Sequence, residues 1–305
     1  MRRRRRYKKY IISFIICYLL FVPVISYSAS KLFHKDTFLI SPLAKAIQIV
    51  KSATTNPIGD IANETLLSHD ESYGIVIKHL QTGMSYSHDE TTSFESASLY
   101  KLWVMATVYE KLEKKQLKET TILKESVEEL NKKFKLASES AELKEGEIEL
   151  SVTDALKKMI TVSDNYAALL LSSKIRNSSI LTFLKENGFS DSKLGQPPKT
   201  TAQDTADFYE KLYKKELVSS SASEAMLLLL KQQTLNDRIP KYLPESINVA
   251  HKTGELGGYK HDAGIVFTPK GDYIIVVLSK GDDPSVATER IATFSEKLYA
   301  YFTAS

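Results

Sequence analysis

The chain is poor in cysteine. Its 305 residues contain one, Cys17, which lies in an apolar run near the N-terminus. Whatever follows that run has no disulfide framework and no thiol chemistry. Six histidines are present, none with metal-ligand spacing of the H-E-x-x-H kind, which argues against a metalloenzyme; no cofactor is expected. Internal repeats and extended low-complexity segments are also missing. So is a real excess of basic charge, although the formal net charge is +4. Seven of the 41 basic side chains (Arg2 to Arg6, Lys8, Lys9) fall in residues 1–28, which hold no acid, leaving 34 basic against 37 acidic residues elsewhere. That balance lacks the electrostatic footprint of a nucleic-acid partner.

What is present is ordinary globular material, 43% hydrophobic and 26% charged, with enough chain for one large core or two coupled subdomains. Residues 1–28 read as an export signal: a basic start, the run YIISFIICYLLFVPVI, then small residues up to Ser28, where a peptidase would cut. An uncleaved membrane anchor is the competing reading, weakened by the shortness of the run and by Pro23. On either reading the folded part, expected to be a monomer, lies outside the cytoplasm.

Residues 29–69 hold a segment of helical spacing at about 40–54 and a connection. SYGIVIKHL, a turn at Gln81-Thr82-Gly83 and MSYSHDE then predict a β-hairpin, followed by a helix over about 98–113. From Lys111 to Glu149 the density of Lys and Glu is that of solvated helices and their connections. SVTDALKKMI opens a helix with Ser151 as N-cap and Asp154 three residues on, and further helices run to about residue 235. INVAHKTG, HDAGIVFTP and DYIIVVLSKG are strands, and PSVATERIATFSEKLYAYF is an amphipathic closing helix. Strands from both ends and helices from the middle predict an α/β fold of the α+β type. It would be an antiparallel five-stranded sheet with flanking helices in a domain over 70–305, with an all-α subdomain inserted at about 114–240 and a cleft between the two parts.

The segment SFESASLYKLWVM leaves Lys101 among Leu99, Tyr100, Leu102, Trp103 and Val104. Most such lysines lie along apolar surface with the head in water. Ser98, three positions earlier, changes the reading, because i and i+3 share a helix face. The spacing alone is weak, since it recurs at Ser28/Lys31 and Ser190/Lys193, but only Ser98 opens a long apolar helix. For Lys101 to act as a base its pKa must fall by roughly three units, about 4 kcal/mol, within reach of burial plus a second cation. That predicts a second cation. S-D-N at Ser163-Asp164-Asn165 and K-T-G at Lys252-Thr253-Gly254 complete an ordered set.

With these three motifs the chain resembles the penicillin-recognising active-site-serine enzymes, and the class A β-lactamases in particular. The likeness extends over GMSYSHDETTSFESASLYK, LSVTDALKKMITVSDNYAALLL, TTAQDTADFYEKL and HKTGELGGYKHDAGIVF, roughly residues 70–300. It implies that Ser98 attacks the carbonyl of a β-lactam or a D-Ala-D-Ala-like peptide and forms an acyl-enzyme. Lys101 would take the serine proton, Ser163 would relay a proton to the departing nitrogen, and Lys252 would ease that transfer and attract the substrate carboxylate. Thr253 would bond that carboxylate, and Asn165 would hold Lys101 and the substrate's side-chain amide. Gly254 would let the substrate lie along the strand edge. The backbone N–H groups of Ser98 and Glu255 would form the oxyanion hole. Asp164 reads as structural. An assisting cation near the K-T-G strand is left open among Lys260, His261 and Arg290.

One departure stands out. The family's Glu-x-x-Leu-Asn loop, whose glutamate activates the deacylating water, is missing: between Asn165 and Thr200 the only glutamate is Glu186, at what reads as a helix end before Gly188. The shorter SKLGQPPKTT takes its place, with Gln196-Pro197 where the family has Glu-Pro, and an amide is no base. The leading expectation is therefore a serine hydrolase of β-lactams with slow deacylation. A D,D-peptidase or transpeptidase, or a binding or sensor module that stays acylated, are the alternatives.

Overall fold

The computed structural model describes residues 56–304 apart from Asp70, Ser138, Ser140 and Asp282. The expectations for residues 1–28 and 40–54 lie outside the described residues. In chain order the helices are α1 (Pro57–Ala62), α2 (Lys101–Glu113), α3 (Val127–Lys133), α4 (Val152–Thr161), α5 (Asn165–Ile175), α6 (Asn177–Glu186), α7 (Ala202–Tyr213), α8 (Ser220–Leu230) and α9 (Pro284–Thr303). The strands are β1 (Ser72–His79), β2 (Ser85–His88), β3 (Phe94–Glu95), β4 (Ile122–Ser126), β5 (Glu147–Ser151), β6 (Lys199–Thr200), β7 (Asn248–Leu256), β8 (Tyr259–Phe267) and β9 (Tyr273–Lys280).

Five strands form the expected antiparallel sheet, in the order β2-β1-β9-β8-β7. The β1–β2 hairpin turns through Gly83 at φ 72°, a left-handed conformation that glycine adopts without penalty. Period-two alternation divides the core in two. Tyr73, Ile75 and Ile77 of β1, with Tyr273, Ile275 and Val277 of β9, pack against Ile58 of α1 and Ile291 and Phe294 of α9. On the opposite face Val76, Ile274, Val276 and Leu278 join the helical part through Leu102, Met105 and Phe208. Each fully buried aliphatic side chain stabilises the fold by roughly 1.5–3 kcal/mol relative to exposure.

Two features position the site. The first eight residues of α2, Lys101 to Val108, are all buried, so this helix is enclosed on every side and takes Lys101 inside with it. At α4 the predicted cap forms: Asp154 N–H donates to Ser151 Oγ (3.0 Å), and Ser151 Oγ donates to Asp154 Oδ2 (2.6 Å). Such a cap contributes about 1 kcal/mol and sets where the helix begins, hence where it ends before Ser163.

The middle of the chain is mainly helical, as expected, but it also holds a ribbon of β4 and β5, joined across by Lys124 to Glu147 and Glu149 at 2.7 and 2.9 Å. The charge density of this stretch hid a period-two pattern in which Leu123 is buried and Ile148 and Leu150 half-buried. A second short pairing, β3 with β6, ties the Gln196 loop to the approach to Ser98.

Candidate active site

Ser98 lies in a 3-10 turn, Ala97–Tyr100, that runs into α2. In such a turn residues i and i+3 eclipse, so Ser98 and Lys101 stand one above the other more directly than on an α-helix. Ala97, just before the serine, has φ 45°, a left-handed conformation costly for a residue with a Cβ. The turn is held from two sides. Ser96 N–H donates to Pro198 O (2.8 Å), and His261 Nε2 donates to Glu95 O (2.8 Å). Since His261 Nδ1 accepts from Ser279 N–H (3.1 Å), its tautomer is fixed, and burial pushes its pKa down to about 4, so it is neutral. Ser98 is half-buried, and its hydroxyl makes no hydrogen bond among the described residues.

Lys101 is fully buried, and its Nζ bonds Ser163 O and Asn165 Oδ1 (2.7 Å) with Ser163 Oγ at 3.2 Å. Burial takes its pKa down to about 8, against upward pulls from Asp164 and Glu142. A neutral amine has two N–H bonds and one lone pair. Here Ser163 O and Asn165 Oδ1 take the first two, which leaves the lone pair for a hydroxyl proton.

Ser163 sits between α4 and α5 at φ 58°, a second left-handed residue. Asp164 accepts from Ala167 N–H (2.7 Å) and caps α5, the structural part foreseen for it. This cap turns Asn165 toward Lys101. Lys252, fully buried on edge strand β7, donates to Ser163 Oγ (2.9 Å) and to Thr253 O (2.9 Å). Burial and the neighbouring Lys101 charge both hold its pKa well below the ordinary lysine value, with Asp262 pulling upward. Two ammonium groups so placed oppose each other, and the pair favours one neutral member. Lys252 is a second cation beside Ser163, as expected, but burial is the one cause that lowers the Lys101 pKa, and the charge repulsion lowers that of Lys252.

Ser163 Oγ therefore lies between two lysines from distant parts of the chain, with Asn165 joined to one of them. Thr253 is buried beside Lys252, and its hydroxyl makes no hydrogen bond among the described residues. Gly254 packs against the Ser98 turn: a Cβ there would lie 3.1 Å from Ser96 O and 3.1 Å from His261 Cδ2. Next along β7, the Glu255 carboxylate pairs with Arg238 (2.9 Å) and with Lys260.

The three cations left open near K-T-G are all engaged. Lys260 pairs with Glu255, His261 is buried and neutral, and Arg290 pairs with Glu71. Arg238 was not anticipated. It is 2% exposed, donates to Glu255 and to His261 O (3.3 Å), and its buried Nε has no partner among the described residues. Its neighbours are fixed to the sheet: Ile239 N–H donates to Asp262 Oδ2 (3.0 Å), and Asn236 Oδ1 lies 3.0 Å from His251 Nε2. Its signal in the sequence was rarity, since only Arg176, Arg238 and Arg290 follow residue 28 among 34 basic side chains. Glu142 was also missed: it accepts a hydrogen bond from Asn165 Nδ2, out of a run that reads as a solvated face.

Glu186 ends α6, as expected, beside Lys114. Lys114 follows Lys101 by 13 residues, about 20 Å along a helix axis, so Glu186 is remote from the lysine pair. Gln196 donates its amide to Phe134 O (2.9 Å) at the side of a cavity of about 720 Å³, whose apolar wall includes Tyr100, Leu136, Leu169, Leu181 and Pro197.

A family model described as the beta-lactamase enzyme family matches residues 57–302. Among solved structures, a β-lactamase from Sphaerobacter thermophilus DSM 20745 is 22% identical, with a TM-score of 0.72 over 81% of this chain and 97% of that one. PBP-A is 20% identical, with a TM-score of 0.70 over 83% and 97%. The TLA-1 extended spectrum β-lactamase is 20% identical, with a TM-score of 0.68 over 81% and 98%. No match was found among curated proteins. The family match spans the sheet, the helical part and all three motifs, and the chain belongs to the β-lactamase enzyme family.

Proposed function

We propose that the protein is an active-site-serine hydrolase of class A type that opens β-lactam rings through an acyl-enzyme on Ser98 and releases the acyl group slowly. The observation that carries this reading is Ser163 Oγ between Lys101 and Lys252, with Lys101 poised at a pKa of about 8.

In the proposed reaction Ser98 Oγ bonds to the lactam carbonyl carbon while its proton passes to the Lys101 lone pair. Backbone N–H groups of Ser98 and Glu255 receive the developing oxyanion. As the C–N bond breaks, Ser163 gives its proton to the lactam nitrogen and regains one from the lysine pair. The substrate carboxylate is drawn to Lys252 and Thr253, with Arg238 beneath the strand, while Asn165 holds the side-chain amide. Water then attacks the ester carbonyl as one of its protons passes to Lys101, left neutral by the first half and placed for Ser98 rather than for water, and Ser98 Oγ leaves with that proton. Gln196 cannot accept the water's proton, so this second half has no dedicated base and is the slow one.

That same feature favours a second reading, a D,D-peptidase that β-lactams merely trap. A mutant of PBP-A, similar in fold, is known as an acyl-enzyme complex with penicillin-G. On sequence grounds both readings put the catalytic domain outside the cytoplasm, with residues 1–28 as signal or anchor.

Mixing residues 29–305 with a chromogenic cephalosporin separates the readings. Steady turnover supports the hydrolase, a single stoichiometric burst supports the trapped peptidase, and no colour with no mass added to Ser98 removes both.

A further inference from the structure

Glu142 places a carboxylate against Asn165, in a site whose proposed substrates are themselves anions. It accepts a hydrogen bond from Asn165 Nδ2, while Asn165 Oδ1 takes one from Lys101. The contact is built into the fold. At the next residue, Leu143 N–H donates to Tyr166 Oη (3.1 Å), and Leu143 O accepts from Tyr166 Oη (2.8 Å) and from Asn131 Nδ2 (2.9 Å). Tyr166 is 5% exposed and follows Asn165 in α5, so the loop is fastened beside the amide it touches. Farther along, Glu147 and Glu149 are paired with Lys124, but Glu142 has no ion-pair partner among the described residues. It is exposed.

A neutral oxygen would orient Asn165 as well. A carboxylate does something further: it lays negative charge beside Asn165, whose second Nδ2 N–H is left to hold the side-chain amide. Resting on the acyl-transfer reading above, we propose that Glu142 is a specificity residue that selects acyl groups carrying an ammonium beside the amide held by Asn165. The ammonium pairs with the Glu142 carboxylate while the second N–H of Asn165 Nδ2 donates to the substrate's amide carbonyl. A neutral acyl group gains no such pairing and is acylated more slowly.

Benzylpenicillin and aminobenzylpenicillin differ only by that ammonium, and the rate at which each adds its mass to Ser98 of the whole chain at pH 6 tests the proposal. The wild type is expected to favour the amino compound on the order of tenfold, and Glu142→Gln, which keeps an acceptor oxygen but no charge, to bring the ratio to about one. No preference in the wild type, or a preference that survives Glu142→Gln, overturns the proposal while leaving the serine chemistry intact. Failure of both compounds to label Ser98 overturns the acyl-transfer reading and this one with it. A parallel pair of peptides ending in D-Ala-D-Ala, preceded by lysine with a free or acetylated ε-amine, identifies the source of the ammonium. D-alanine release that favours the free amine in the wild type but not in Glu142→Gln supports selection on peptide stems also. Release by the wild type that favours the acetylated peptide counts against a carboxylate that selects ammonium groups.

Discussion

The corner around Lys101 and the loop around Gln196 both join the segment that carries Ser98 and are built on opposite terms. In the corner, two lysines are fully buried, and each has its nitrogen engaged by Ser163 and by one further oxygen. Burying two amines this way is costly unless every group is satisfied and the protons can be shared, which is the condition for moving a proton at neutral pH. In the loop, the one polar side chain at the expected place spends its amide on Phe134 O beside an apolar wall. Nothing there accepts a proton. The contrast teaches that taking the acyl group and giving it up are encoded separately: the first in a cage of side chains from three distant segments, the second in a single loop residue.

That comparison can be broken or sharpened in order of effect. Ser98→Ala removes the nucleophile and should abolish covalent labelling by any penicillin; intact-mass measurement showing labelling at full rate would mean another residue is acylated. Lys101→Met should slow acylation on the order of a thousandfold, as expected for loss of a positioned general base. An unchanged rate would move the base elsewhere.

The pH profile follows from the same group. Burial lowers the Lys101 pKa to about 8, so the amine is mostly charged below that pH and the neutral base becomes scarcer as pH falls. Acylation should rise through pH 8 and drop about tenfold per pH unit well below it, and a flat profile from pH 6 to 9 would contradict the assignment. Because Glu142 pulls that pKa upward, Glu142→Gln should shift the rise to lower pH.

On the loop side, Gln196→Glu supplies the missing carboxylate and should speed decay of the acyl-enzyme by roughly a hundredfold, the usual scale of general-base help. Equal lifetimes for the two proteins would show that position 196 does not face the attacking water. The smallest effect is expected at Glu255→Gln. Its carboxylate is exposed and pairs with Arg238 and Lys260, so removing the charge should raise acylation by anionic penicillins about threefold. A decrease would mean that the pairing serves to hold Arg238 in place.

Much of the fold was legible because period and punctuation are local. The β1–β2 hairpin, the Ser151 cap, the end of α6 at Glu186 and the three C-terminal strands all lie where apolar spacing and turn residues put them. The β4–β5 ribbon was not legible, since Lys and Glu fill its exposed positions and the few apolar residues on its inner face do not outweigh them. Arg238 and Glu142 escaped for a related reason: each acts through partners far away in the chain, and a lone arginine before Ile-Pro or a glutamate in a charged run carries no spacing that marks it.

The amino-acid sequence by itself determined which chemical groups exist: a serine and a lysine one turn apart, a second serine, a second lysine, and no glutamate in the loop that would need one. Those follow from short spacings along a helix or strand, which the backbone repeats impose. Only the tertiary structure decided that burial brings the Lys101 pKa down to about 8, that Ser163 falls between the two amines, and that Glu142 bonds Asn165 while Glu255 pairs with Arg238 and Lys260. Proton affinity and charge pairing depend on distance through space and on exclusion of water, and neither exists until the chain has folded.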